Sequence, residues 1–314
     1  MSTLYFVPQL PSEGRYTTWW LTEFVKNFDK YFDDVIILGE DMIENLTHER
    51  DDFKEFSNAK YSALLEIAQI EDYLYISESP DDVLFCTDIS FPGLFSNILY
   101  TKPFCGKKFI FCHATAKNKY DYFSDIRSSK FRVETGHSML FDKVFVGSEY
   151  HKNKLKWDNV EVVRLPPPPY DVISNQVLAK CYDMISVSRP CKQKVQLKLE
   201  RKVQNLVGTK IVRKTFTNSE EYSKFLSQAK ILFISSLEDT FNYTIMDAIR
   251  CGCVPVAPRS LCFPEILPDE YLYDGVIEAS RVCKKILRGD LGVPRMLCHD
   301  EVENFFQNIV EYMK

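Results

Sequence analysis

ILFISSLEDTFNYTIMDAIRCGCVPVA, Ile231 to Ala257, decides the fold of this chain. Ile231 to Ile234 is a short apolar run of the kind that fills a buried parallel strand. A polar loop with Glu238 and Asp239 follows, and a helix begins near Asn242 and runs to Arg250. Phe241, Ile245, Ala248 and Ile249 recur at helical spacing and form its buried stripe. Cys251-Gly252 ends the helix, with Gly252 free to take a left-handed cap. Cys253 to Ala257 is the next strand. Strand, loop, helix and strand in this order form one unit of a parallel α/β sheet.

The same alternation extends in both directions. Upstream in this half, Asp183 to Val187 and Lys210 to Phe216 read as strands and Lys192 to Leu206 as a basic helix. Asn218 with Glu221 three residues on is a capping box that opens a helix to about Ala229. Farther upstream, Leu4–Val7, Val35–Leu38, Val83–Cys86, Lys108–Cys112, Lys143–Val146 and Val160–Val163 read as strands, with helices at about Tyr16–Phe28 and Phe53–Ile70. Between the halves stands Pro166-Pro-Pro-Pro169, which continues neither a helix nor a central strand and favours a stiff extended segment. The expected division is 1–168 and 169–314, with the last helix returning to the first domain. Each half is α/β. Sheets of this kind bind ligands outside the carboxyl ends of their strands, so the expected site is a cleft where two such domains face each other.

Composition narrows the classes. The 314 residues are 45% hydrophobic and 26% charged, which excludes collagen-like, coiled-coil and bulk-disordered chains. The net charge of −5 hides blocks of opposite sign. Asp33 to Asp88 carries −13, Lys102 to Arg164 carries +6, and Arg189 to Lys214 carries +8. Such blocks steer an anionic ligand to one face. The ten cysteines include no Cys-x-x-Cys pair, so they read as reduced, mostly buried thiols. Met1 to Pro8 lacks the features of a signal peptide, and no apolar run approaches the ~18 residues that span a bilayer. The expectation is a cytoplasmic protein, in host cytoplasm if viral, without a membrane partner.

The loop and helix at Ser235–Arg250 carry the chemistry. Unpaired amides at a helix start suit a phosphate. Asp239 lies at the mouth of the loop, and Asp247 lies about five residues into the helix, ~7.5 Å along its axis. Carboxylates accept hydrogen bonds from sugar and ribose hydroxyls, so two acids with phosphates between them suit an elongated ligand. The bland reading of the same pair is an N-cap and a helix-surface acid.

This stretch resembles the donor-binding motif of retaining GT-B glycosyltransferases of glycosyltransferase family 4: an acid, seven residues, a second acid, a small-residue helix end, Gly, and a Pro-Val strand. Asp239 and Asp247 keep the spacing, with Asp where Glu is usual, and Glu238 replaces Asp239 if the loop shifts by one residue. Ser186-Val-Ser-Arg-Pro-Cys-Lys-Gln-Lys194 resembles the family's Arg and Lys on the donor diphosphate, here Arg189 and Lys194, with Lys192 as the alternative. Pro258 to Glu265 resembles the Pro-Glu loop over the donor, especially in the tRNA-queuosine mannosyltransferase-like and phage glycosyltransferase branch. His113 stands at the family's cleft histidine, and Gly14 at its first glycine loop. The likeness covers roughly residues 83 to 275.

The resemblance implies two Rossmann-like domains in a GT-B arrangement and a retaining transfer from a nucleotide sugar, UDP- or GDP-linked, with no further cofactor. His113, Asp239, Arg189 and Lys194 are the expected catalytic residues. Gly14, Asn242, Tyr243, Thr244, Asp247 and Glu265 are the expected donor contacts. The chain has no Asp-x-Asp, the usual metal handle of the other major transferase fold, so metal-independent activity is expected. The basic blocks favour a nucleic-acid acceptor, first a hydroxymethylated base of viral DNA, which must be flipped out of a duplex to react. A tRNA base and a surface glycan are the alternatives. The non-enzyme alternative is a silent module that binds nucleic acid or sugar nucleotide, and donor hydrolysis discriminates it.

Overall fold

The computed structural model describes residues 2–11, 16–45, 55–89, 93–120, 126–166, 179–188, 191, 194–216, 219–297 and 302–314. The chain divides into two compact units. The first comprises Met1–Gly147, His151–Arg164 and Glu301–Lys314, and the second comprises Ser148–Tyr150 and Leu165–Asp300. The proline run after Pro166 lies outside the described residues.

The first unit is built on β1 (Thr3–Val7), β2 (Asp34–Ile37), β3 (Val83–Cys86), β4 (Lys107–Phe111), β5 (Lys143–Val146) and β6 (Val160–Val162). They form one parallel sheet in the order β2-β1-β3-β4-β5-β6. All four residues of β3 are buried, as expected of a strand covered on both faces. Helix α1 (Tyr16–Phe28) places Trp20, Phe24 and Phe28 at i, i+4 and i+8, and all three are buried. Trp20 and Phe24 stack at 4.5 Å, and Phe24 lies 5.4 Å from Phe85 of β3. Four helices follow in the chain: α2 (Glu40–Asn45), α3 (Glu55–Tyr75), α4 (Phe95–Ile98) and α5 (Arg127–Ser138), of which the sequence reading expected only α3. Helix α6 (Glu149–Leu155) begins in the short segment that groups with the second unit.

The second unit contains β7 (Tyr182–Ser186), α7 (Leu197–Val207), β8 (Ile211–Arg213), α8 (Ser219–Ser227), β9 (Ala229–Phe233), α9 (Tyr243–Arg250), β10 (Val254–Pro258), α10 (Phe263–Ile266), β11 (Leu272–Tyr273) and α11 (Val276–Arg288). Its strands are all parallel, in the order β11-β10-β9-β7-β8. Buried Met184, Ile185, Ile231, Phe233, Val254 and Val256 make the sheet's contribution to the core. Gly252 follows α9 with φ +66°, the left-handed turn expected of it. Helix α7 begins at Leu197 and not at Lys192, because Gln196 is held by the loop after β9 and leaves its backbone outside the helix.

The final helix, α12 (Val302–Met313), belongs to the first unit. Phe305 and Phe306 are fully buried there, with Phe306 4.8 Å from Phe24 and 5.4 Å from Phe28.

Candidate functional site

In the second unit, β7 and β9 pair side by side, so the loops that leave their carboxyl ends are neighbours. A buried polar network joins the two loops. Ser235 Oγ accepts the Gln196 backbone N–H at 3.0 Å and donates to Glu200 Oε1 at 2.7 Å. Gln196 Nε2 donates to the Ser235 carbonyl at 3.0 Å. Arg213, at the end of β8, donates to both Glu200 oxygens at 2.8 and 2.9 Å and to Ser186 Oγ at 3.1 Å. One arginine nitrogen and one hydroxyl donate to this buried carboxylate, which ties the two loops together.

That clamp sets Lys194 against Asp239. Lys194 Nζ lies 2.9 Å from Asp239 Oδ1 and donates to the Glu238 carbonyl at 3.3 Å. Asp239 is 5% exposed and Lys194 20%, so the pair is largely shielded from water while the cation keeps a side open to it. Asn242 Nδ2 donates to Asp239 Oδ2 at 2.8 Å. The Asn242 Oδ1 accepts the Ile245 N–H, which makes Asn242 the N-cap of α9. One asparagine therefore fixes both the acid and the start of the helix, where the amides of Tyr243 and Thr244 fall in the first turn, ahead of the intrahelical acceptors. It is Asp239 that meets the lysine through its carboxylate, while Glu238 contributes its main chain. Cys262 is buried beside them, and its thiol is pushed well above the ordinary range by burial and by Asp239, with Lys194 opposing.

The other expected residues have different surroundings. Asp247 is buried in the second turn of α9, and its Oδ2 accepts the Tyr222 hydroxyl of α8 at 2.9 Å. Glu265 spends its carboxylate on main chain: its two oxygens accept the N–H groups of Glu149 and Tyr150 at 2.8 and 2.7 Å, in the first turn of α6. Arg189, Lys192 and Gly14 lie outside the described residues.

In the first unit, His113 sits just beyond β4. Its ring lies 4.5 Å from Trp20 and 4.7 Å from Phe111, centroid to centroid. Its backbone N–H points to Asp88 Oδ1 at 3.4 Å. Asp88 follows β3 and accepts the Gln9 side-chain amide at 2.7 Å, and the Gln9 backbone N–H reaches Thr87 Oγ1 at 2.7 Å. Polar groups at the ends of β1, β3 and β4 thus converge, and a cavity of about 30 Å³ lies beside Gln9 and Asp88. Sequence reasoning missed Gln9, Asp88 and Tyr222. The signal for the first two was their position, each one or two residues past a strand end. Among the described residues, no group of three or more His, Cys, Asp or Glu is placed to hold a metal ion, and no helix is long and apolar enough to cross a membrane.

The architecture has known counterparts. HepE of Anabaena, solved with UDP-glucose, superposes with a TM-score of 0.60 over all of this chain and 99% of its own at 9% identity. A UDP-forming α,α-trehalose-phosphate synthase from Burkholderia vietnamiensis gives 0.58 over 100% and 96% of the two chains at 8% identity. The chain has the GT-B fold. TarM of S. aureus matches 79% of this GT-B chain and 56% of its own at a TM-score of 0.54 and 15% identity. In sequence, a tRNA-queuosine α-mannosyltransferase of Drosophila melanogaster is 32% identical over 106 residues, 34% of this chain. This chain spans 27% of the length of that curated relative. The sequence matches no family model.

Proposed function

We propose that this GT-B protein is a glycosyltransferase that moves a sugar from a nucleoside-diphosphate donor to a hydroxyl, with retention of configuration and without a metal ion. The observation that carries this reading is the Lys194–Asp239–Asn242 cluster at the carboxyl ends of β7 and β9. A lysine from the β7–α7 loop, held against Asp239 ahead of α9, opposes the charge that develops on a departing diphosphate, and the helix-start amides add to it. Asp239, held by Asn242, accepts a hydroxyl of the transferred sugar, and Asp247 belongs to the nucleoside end of the donor. Arg189 joins Lys194 on the diphosphate by the family resemblance. In the reaction the bond from the anomeric carbon to the phosphate oxygen breaks as the acceptor oxygen bonds to that carbon on the same face. The acceptor proton passes to a donor phosphate oxygen, and the nucleoside diphosphate leaves. No protein nucleophile is needed.

Complexes of HepE with UDP-glucose and of pneumococcal GtfA with UDP and GlcNAc support a uridine donor over a guanosine one. For the acceptor we propose a hydroxyl carried on a nucleic-acid base. The basic blocks favour a hydroxymethylated base of viral DNA. A second reading, a modified tRNA base, is favoured by the fly relative that bears that name. The test is a panel of UDP and GDP sugars with hydroxymethylated DNA, with unmodified DNA and with bulk tRNA, read by mass spectrometry of the nucleosides and by nucleoside-diphosphate release. One hexose or pentose added to a single nucleoside is expected. A folded protein that releases no nucleoside diphosphate with any donor and acceptor refutes the reading and leaves the silent binding module.

A further inference from the structure

The +8 block from Arg189 to Lys214 is larger than a diphosphate requires, and several of its described cations can be placed. Lys194 is paired with Asp239 and Arg213 with Glu200, so these two cations serve the clamp and the site. Lys198, Arg201 and Lys202 lie on α7 with exposed side chains. Helix α11, some eighty residues later in the chain, packs directly on α7. Between them is an open groove of about 420 Å³ whose lining includes Leu206 of α7 and Ile277, Arg281, Lys284, Lys285 and Arg288 of α11.

The groove differs in three ways from an ordinary solvated helix face. Its charge is one-sided: four cations line it against a single acid, Asp290. Among the described residues, none of the four forms an ion pair. Its cations also form a line, because Arg281, Lys284 and Arg288 recur at steps of three and four and share one face over ~10.5 Å of helix. The helix dipole accounts for cations in the last turn, Lys285 and Arg288, but not for Arg281 and Lys284 farther back. Finally, two large apolar side chains, Leu206 and Ile277, are exposed at the same groove. A row of cations without ion pairs, beside apolar surface, matches a polynucleotide strand, which presents a line of phosphates with ribose and base surface beside it.

We propose that the α7–α11 groove is a docking track for the phosphate backbone of a nucleic-acid acceptor, separate from the donor loops. Leu206 lies ~13.5 Å along α7 from Leu197, where the helix leaves the donor loop, so a strand held there leaves Lys194 and Asp239 open. The proposal rests on the nucleic-acid reading of the acceptor, and its binding readouts contain no nucleotide sugar, so it can fail while donor chemistry stands and the reverse.

The experiment is fluorescence anisotropy of the full chain with a labelled 30-nucleotide single-stranded DNA and with a tRNA transcript, from 50 to 200 mM salt. The parent protein is compared with the triple variant Lys284→Gln, Lys285→Gln and Arg288→Gln. The expected result is a slope of log K against log salt shallower by about 2, with affinity at 0.1 M salt lowered roughly 100-fold. Donor hydrolysis without acceptor stays at the parent rate. As a measurement that needs no variant, bound oligonucleotide should protect Lys284 and Lys285 of the parent from acetylation. An unchanged salt slope, or acetylation of both lysines unaffected by saturating oligonucleotide, overturns the proposal. So does a triple variant that loses binding only to phosphatidylserine vesicles, which would make the groove a membrane contact.

Discussion

Lys194→Met separates what the lysine does for the fold from what it does for the reaction. Methionine keeps the unbranched chain and removes the charge. Asp239 then loses the partner 2.9 Å from its Oδ1, although it is 5% exposed and cannot turn to water. Its Oδ2 keeps the Asn242 amide at 2.8 Å. Breaking a fully buried pair costs about 3–5 kcal/mol. With a fifth of the lysine already in solvent and the asparagine still in place, the expected cost is about 2–3 kcal/mol. For a unit of this size that lowers the melting temperature by roughly 4–12 °C. Adding Asp239→Asn to Lys194→Met removes the charge left behind and should return about half of the loss, a coupling that distant sites do not show. Turnover behaves differently. Loss of the cation on the departing diphosphate should cost about 10²–10³ in rate, and the asparagine should restore none of it. Thermal melts and nucleoside-diphosphate release on the parent, on Lys194→Met, on Asp239→Asn and on the double variant read both effects. If Lys194→Met melts within about 1 °C of the parent and Asp239→Asn changes nothing in its background, the pair is not desolvated. If the melt shifts while turnover is kept, the pair is only structural and the site assignment falls.

Two histidines make stability depend on pH. Burial lowers His137 to about 4 and His151 to about 3, with Lys130 and Lys154 adding to the respective shifts. The unfolded chain binds these protons near pH 6.5 and the folded one does not, so both contributions are complete above that pH and shrink as pH falls toward the folded values, by up to ~1.4 kcal/mol per pH unit for each. Urea unfolding between pH 7.5 and 5 should show this slope, and His151→Phe should flatten it. Glu265→Ala removes the acceptor of two backbone N–H groups and should cost about 1–2 kcal/mol, while Glu265→Gln keeps one acceptor and costs less, read by thermal melts. A Glu265→Ala protein as stable as the parent would mean that these bonds are replaced by water.

How far the sequence could be read depended on the range of the interactions. Parallel strands such as Val83–Cys86 and Val254–Pro258 are continuous apolar runs, and the signal is local. Helix α9 was equally plain, because its apolar stripe, its asparagine cap and its terminating glycine lie within eleven residues. Helix α11 carries an equally clear stripe of Ala279, Val282, Cys283 and Ile286, which went unread although the signal was present. Helix α5 gives almost none: Glu134 is buried inside it because it accepts the Ala116 backbone N–H, a contact no periodicity announces. The candidate site divides in the same way. The acid spacing at Asp239 and Asp247 was legible. The Glu200–Arg213–Ser235 clamp, the Tyr222 contact to Asp247 and the role of Glu265 each join residues far apart in the chain, and their side-chain types alone do not specify a partner.

The placement of α12 has a consequence for biosynthesis. Phe305 and Phe306 close the aromatic core around Trp20, Phe24 and Phe28, yet they emerge from the ribosome after the whole second unit. At ~5–20 residues per second, the first sheet waits on the order of 10 s after its last strand is made, with that aromatic face uncovered. A nascent chain stalled anywhere in the second unit therefore presents a ready binding site for a chaperone, and a frameshift near residue 300 would be felt first at the opposite end of the polypeptide.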